Sequence, residues 1–478
     1  MSLREARSCT AGSWSTRGAR LVFLVLALLG ASLLYGQSSR GALTYEVETL
    51  AKGEKGTVVP LVKATYSNGL VALVKESHSS PIVTVDAWCS TGAACEKDAE
   101  SGISHFFEHM FFKGTERHPR GEMDRIIKGL GGRNNAGTSV EYTHYYVTVP
   151  SENYLTALDV LSDALMNSLF EPEEVERERE VVKAEIRRKE DTPSSQVFVV
   201  FQKQFGPGTP YERPVLGYFE TLDAINTRAF KDYLGEKYRA GNMAVVVTGD
   251  VNTEQVLAAI GRYFEQLPAG RSPYPGFEVP ELKKNRIGVE RRDINQGYMM
   301  FGFVTDGLRS SHENLTLDVA AAILGEGKSS RLHQGLVENE KLASHVEAWQ
   351  WALRRAGVLG FEVTFEPGKE DAVVAAVLEE LKALSTEGPS DAEVEKAKAM
   401  LRTSFAFQTE TSAGKASTIG RAYTTGTLDD CLYYRERLDS VTPELVRAVV
   451  RKYTSSKHYA MGLVLPDEES GSAGASGH

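Results

Sequence analysis

Cysteine is scarce in this chain: four among 478 residues, at positions 9, 89, 95 and 431. Neither their number nor their spacing matches a cysteine-held zinc site. Cys89 and Cys95, flanking Ser-Thr-Gly-Ala-Ala, are close enough to pair in an oxidising compartment. Two ordinary buried thiols are the alternative and the slightly favoured one. Positive charge is also short. Lys and Arg number 54 against 64 Asp and Glu, leaving a net charge of −10 and a pI near 5.6. That balance argues against a non-specific nucleic-acid surface, favours solubility and says little about substrate. The apolar run at 21–35 falls short of a comfortable membrane span of about 20 residues.

With Arg4, Arg7, Arg17 and Arg20 ahead of it, that run reads as the charged and apolar parts of an export signal covering 1–38. Leu34 sits where a cleavage site prefers a small residue, so an uncleaved anchor through 21–36 stays open. The expected location is exported, periplasmic or otherwise extracytoplasmic. The remaining composition, 42% hydrophobic and 25% charged, is that of a globular protein, and the length suggests two domains.

Strands are expected at 65–76 and 82–90, with helices at 102–112 and 122–130. A β pattern follows at 131–150, helices at 152–168 and 172–190, a helix at 227–238 and a strand at 243–249. Residues 267–285 hold Pro268, Pro273, Pro275 and Pro280 with Gly270 and Gly276, and read as an interdomain linker. Beyond it the plan repeats. The run at 174–192 has a counterpart at 393–403, and 222–226 with its helix has one at 438–442; each helix meets a Lys-Tyr pair and then a strand. The expected fold is therefore α+β: two homologous domains, 39–266 and 286–467, each a mixed sheet covered on one face by helices. A Gly/Ser/Ala-rich tail at 468–478 should be disordered.

His105-Phe106-Phe107-Glu108-His109 sets two imidazoles four residues apart with a carboxylate between them. At 3.6 residues per turn, 105, 108 and 109 share one helix face, while Ile103, Phe106, Phe107, Met110 and Phe111 make the rest apolar. Such a helix belongs in a core, where polar side chains left unsatisfied cost several kcal/mol, and a metal would satisfy the histidines. Chance gives this pattern in a chain of this length roughly one time in a hundred. It is the inverted zincin motif, and it needs structural context. One possible context is the helix opened by Pro172, where Glu178, Val182, Glu185 and Lys189 form a single stripe. On spacing alone that run reads more readily as a solvated charged helix, and the pocket-facing reading stays open.

These segments together resemble the pitrilysin and mitochondrial-processing-peptidase family of metallopeptidases. The resemblance rests on His-x-x-Glu-His, on Glu178 to Glu185 beyond 75 intervening residues, and on Phe111-Phe112-Lys113-Gly114-Thr115. Asn135-Ala136, the Pro210 to Val215 segment and Gly249-Asp250 extend it across nearly the whole mature chain. It implies one Zn2+ held by His105, His109 and Glu185, with Glu108 as general base and Glu178 as an auxiliary acidic residue. It places Asn135 and Ala136 on an edge strand to which a peptide substrate adds. In the second half Ala397 and Ser404 stand opposite Glu178 and Glu185, and no His-x-x-Glu-His occurs. The family's second half supplies an arginine and then a tyrosine to the reacting peptide. Arg331 matches the first, but the tyrosine position falls near Ser344, beside His345. Losing that donor to a developing oxyanion is worth about 3 kcal/mol. The implied assembly is a heterodimer with a paralogous subunit that lacks the zinc motif and supplies the missing pair. Two further readings remain: a non-catalytic scaffold subunit of a larger membrane-associated complex, and a membrane-anchored assembly partner that retains its leader.

Overall fold

The computed structural model describes residues 35–36, 43–50, 60–455 and 458–467. The expected apolar leader segment, Cys9 and the tail lie almost entirely outside these residues. Among the described residues thirteen strands form two sheets. The first contains β1 (Tyr35–Gly36), β2 (Tyr45–Leu50), β3 (Leu61–Tyr66), β4 (Val71–Glu76), β5 (Ile82–Cys89), β6 (Arg133–Thr138), β7 (Thr143–Pro150) and β8 (Met243–Gly249). The second contains β9 (Arg286–Arg292), β10 (Gly297–Thr305), β11 (Ala343–Ala352), β12 (Gly357–Phe365) and β13 (Ala460–Pro466). Residues 268–285, between the sheets, contain no helix or strand.

The expected strand at 65–76 is instead a hairpin. Gly69 takes φ +97° and Asn68 accepts from the amide of Leu70, so the Asn-Gly pair turns the chain between β3 and β4. An apolar run on both sides of that pair hid the turn. The first half holds α1 (Ile103–Met110), α2 (Glu122–Gly129), α3 (Tyr154–Asn167), α4 (Pro172–Glu190), α5 (Pro193–Phe205), α6 (Phe219–Ala224), α7 (Thr227–Lys237) and α8 (Thr253–Tyr263). Helices α1 to α4 and α7 fall close to expectation, whereas α5, α6 and α8 were not expected. The second half adds α9 (Ser311–Gly325), α10 (Glu370–Thr386), α11 (Asp391–Gln408), α12 (Ser412–Thr425) and a helix at Pro443–Thr454. None of the helices in the described residues is long and apolar enough to cross a membrane.

The repeat is visible strand by strand. Five strands of the first sheet run β4-β8-β5-β7-β6, and the second runs β9-β13-β10-β12-β11. In each, the first pair is parallel and the next three are antiparallel. Each half buries its own helices against one face of its sheet. The other face is covered by exchange. Helix α5 of the first half lays Val197, Val200 and Phe201 against Met300, Ala460 and Val464 of the second sheet. Helix α12 of the second half lays Ala416 and Ile419 against Trp88, Ala244 and Val246 of the first. Central strand β8 is buried at every position and apolar from Met243 to Val247, because both faces are covered.

Two glycines permit these crossings. A Cβ at Gly420 on α12 would stand 2.1 Å from the Trp88 indole nitrogen, and one at Gly462 on β13 would stand 2.4 Å from the Phe201 backbone nitrogen. Gly462→Ala should therefore destabilise the chain by about 1–3 kcal/mol, because backbone cannot move aside as a side-chain tip can. The check is the denaturant midpoint of the variant against the parent, with an unshifted midpoint counting against the exchanged packing.

Candidate metal centre

Helix α1 is held to the core by its aromatic face. Phe106, Phe107 and Phe111 are fully buried, with Phe107 stacked on Tyr238 at 4.6 Å and Phe111 on Tyr145 at 3.7 Å. Its first turn is held as well. The buried Glu96 carboxylate accepts from the amides of Gly102 and Ser104, both at 2.8 Å, satisfying donors that a helix start leaves free. Burial pushes the Glu96 carboxyl up to about 7, against the pull of those hydrogen bonds. With one face committed inward, the opposite stripe of His105, Glu108 and His109 turns toward α4.

Helix α4 is not a solvated charged helix. Glu178, Arg179 and Val182 are buried along with Val175 and Ile186. Arg179 closes the packing by donating to the Leu222 and Ile225 carbonyl oxygens and by lying over the Phe106 ring, 5.7 Å from its centroid. This sets Glu178 and Glu185, two turns apart, against the α1 stripe.

The ligating atoms of His105, His109 and Glu185 all lie within 4.8 Å of one another. Glu185 Oε2 is 3.6 Å from Nε2 of each imidazole. That exceeds a good hydrogen bond but suits ligands around a common ion, since tetrahedral zinc with bonds of about 2.0–2.2 Å separates its ligands by roughly 3.3 Å. The donor set, two nitrogens and one carboxylate oxygen, leaves a fourth position open, as in catalytic zinc sites. The His105 Nδ1 atom is buried without a partner among the described residues.

The surroundings tune this set. The neighbouring His109 holds the Glu185 carboxyl down at about 2 despite burial, and Lys189 adds its charge 3.6 Å from Oε1. Burial and the neighbouring His109 lower His105 to about 4, keeping it neutral and ligand-ready. Burial opposes the charge on His109, but the carboxylates of Glu178 and Glu185 beside it outweigh that and raise the group to about 9. Without a metal the set therefore keeps a proton on His109, which a dication must displace.

Glu178 approaches His109 Nδ1 at 3.4 Å and also accepts from the Lys113 ammonium. A carboxylate behind a ligating histidine fixes ring orientation and tautomer. Glu108 stands in the stripe beside the three ligands and accepts from the Thr138 hydroxyl at 2.6 Å. Burial raises its carboxyl, and the Thr138 hydrogen bond opposes that rise. Thr138 ends β6, the outermost strand of the first sheet, which also carries Asn135 and Ala136. Asn135 is exposed and Ala136 half-buried against the core, so the free edge runs beside Glu108.

Arg331 is not brought to these residues by the chain's own fold. Its guanidinium makes a two-pronged contact to Glu393 at 2.6 and 3.0 Å, near the N-terminus of α11. An ion pair within its own half thus engages the Arg331 guanidinium. Ser344 and His345 lie exposed on β11, and Cys89 and Cys95 are free, buried thiols. Three supports escaped the sequence reading. Lys113 lies four residues beyond His109 on the same stripe, a spacing that exposes it in retrospect. Glu96 and Thr138 act only through tertiary contacts and left no local signal.

Comparison with known proteins follows the same division. Residues 71–217 match the family model described as insulinase, peptidase family M16, and residues 224–401 match that of the peptidase M16 inactive domain. The chain is 29% identical over 407 residues to an uncharacterised zinc protease of Bacillus subtilis, covering 84% of this chain and 97% of that protein. It is 28% identical to a probable mitochondrial-processing peptidase subunit beta of Arabidopsis thaliana, covering 85% and 78% respectively. Among solved structures, a protease from Helicobacter pylori superposes with a TM-score of 0.80 at 24% identity, covering 84% of this chain and 98% of that one.

Glu178→Gln should weaken zinc binding about 10–100-fold by loosening His109. Zinc retention against a graded chelator measures it, and an unchanged affinity would remove Glu178 from the site.

Proposed function

This chain belongs to peptidase family M16, and from that premise we propose that it is a zinc-dependent endopeptidase acting on peptides or unfolded segments. One observation carries the reading: His105, His109 and Glu185 converge from two separately anchored helices while Glu108 faces the same space. A zinc ion held by the three would polarise a scissile carbonyl and bring a water's pKa toward about 7. The residues then divide the work. Glu108 takes a proton from the attacking water and delivers it to the leaving amine. Thr138 holds that carboxylate in place, and Glu178 with Lys113 holds His109. The free edge of β6, through Asn135 and Ala136, pairs with the substrate backbone and sets the scissile bond across the stripe.

The working enzyme is a heterodimer with a paralogue lacking the metal ligands. Ser344 stands where the family's tyrosine is expected, and Arg331 is engaged with Glu393, so the partner supplies those contacts. The Arabidopsis relative, itself named as a subunit, agrees with such an assembly. The arginines and apolar run before residue 36 support export, with the leader cleaved or kept as an anchor.

Glu108→Gln should keep stoichiometric zinc yet lower peptide cleavage by about 10²–10⁴-fold, read by zinc content and by turnover of a peptide library in the co-purified complex. A fully active Gln variant would refute the role of Glu108. A zinc-loaded parent complex that cleaves nothing would instead make this chain a scaffold subunit.

A further inference from the structure

The repeat gives the metal centre a counterpart in the second half, between α9, α11 and the edge strand β11. That counterpart is not filled in. It is a cavity of about 430 Å³ lined by Asp318 of α9, Ser404 and Phe405 of α11, and Gln350 and Trp351 of β11. Ser404 stands where the first half has Glu185, so the metal donor is gone while the space remains. Helix α12 adds Arg421, and the β6–β7 turn of the first half adds Ser139, Glu141 and Tyr142. The volume lies within the range of small-molecule sites, and the mixture of apolar walls with a few charged groups is their usual lining.

Two ionisable groups in this cavity have neither a hydrogen-bond nor a salt-bridge partner among the described residues. The Asp318 carboxylate and the Arg421 guanidinium make no side-chain hydrogen bond or ion pair with any other described residue, nor do they form one with each other. Burial pushes the Asp318 carboxyl up to about 7, with Arg421 pulling the other way. Asp318 is half-buried and Arg421 is exposed, so a ligand carrying both complementary charges can engage the two groups at once. Glu141 does not compete for the role, because its carboxylate is already engaged by Tyr211, Tyr274 and the Arg354 amide.

We propose that this cavity binds a short zwitterionic peptide or amino acid with an apolar side chain, its ammonium on Asp318 and its carboxylate on Arg421. Leu315, Leu401 and Phe405 receive the side chain. Such molecules are small products of peptide hydrolysis. The site also borders the catalytic machinery, since the turn lining it follows directly on Thr138, the residue bonded to Glu108.

The test is calorimetric titration of L-leucyl-L-leucine into the full chain carrying Glu108→Gln, which removes turnover. One molecule should bind per chain, and N-acetyl-L-leucinamide, which lacks both charges, should bind at least tenfold more weakly. Asp318→Asn and Arg421→Gln should each weaken the dipeptide at least tenfold while leaving zinc content and circular dichroism unchanged. Arg421 is exposed on its helix, so its variant reads the site even if the Asp318 variant fails to fold. Hydrogen exchange on the chain without those substitutions should show dipeptide-dependent protection at 311–325 and 401–408. No binding, binding indifferent to both substitutions, or equal binding of the capped compound would overturn the proposal.

Discussion

Two helices reach the same point because each has only one way to sit. Outside Ser104 and the stripe of His105, Glu108 and His109, helix α1 is apolar, and its phenylalanines are buried against the first sheet and its tyrosines. Helix α4 is mostly charged, and it is fixed instead by Val175, Val182 and Ile186 together with the buried guanidinium of Arg179. The polar stripes left over then face each other. Desolvating two imidazoles and two carboxylates in one place is unfavourable unless they share a cation or protons. Burial and the adjacent His109 lower His105, while the facing carboxylates raise His109.

The rest of the molecule serves to hold this junction rigid. Exchange of α5 and α12 between the halves makes each sheet depend on a helix from the other, so neither half presents a complete core alone. The second half repeats the strand order and pairings of the first without its metal ligands. In the first half the space between helices and edge strand holds the His105, Glu108, His109 and Glu185 cluster, whereas in the second it holds a cavity lined by Asp318 and Arg421. A fold duplicated in this way keeps its geometry because packing demands it, while the side chains facing the pocket are free to diverge.

Periodicity was enough to read α1, α4 and the strands β5 to β8, because their apolar positions recur at the spacing of the element that buries them. It failed at Asn68-Gly69, where a hairpin interrupts a continuous apolar run. It also gave α4 an ambiguous face, since charged residues dominate that helix and only the partner helix shows which carboxylates are buried. Arg331 matched a family segment yet lies in an internal ion pair, a choice set by the distance to Glu393. The helix exchange was invisible, because an apolar helix face does not say which sheet it covers.

By itself the order of residues determined that 105, 108 and 109 share a stripe, that 178 and 185 share another, and that the plan of the chain is repeated. Those are consequences of helix pitch and of strand alternation, which act over a few residues. Only the tertiary structure decided that the two stripes meet, that Thr138 and Lys113 brace them, and that the second half encloses a cavity. Each of these depends on side chains far apart in the chain being pressed together as apolar surface leaves water, and no local spacing records that outcome.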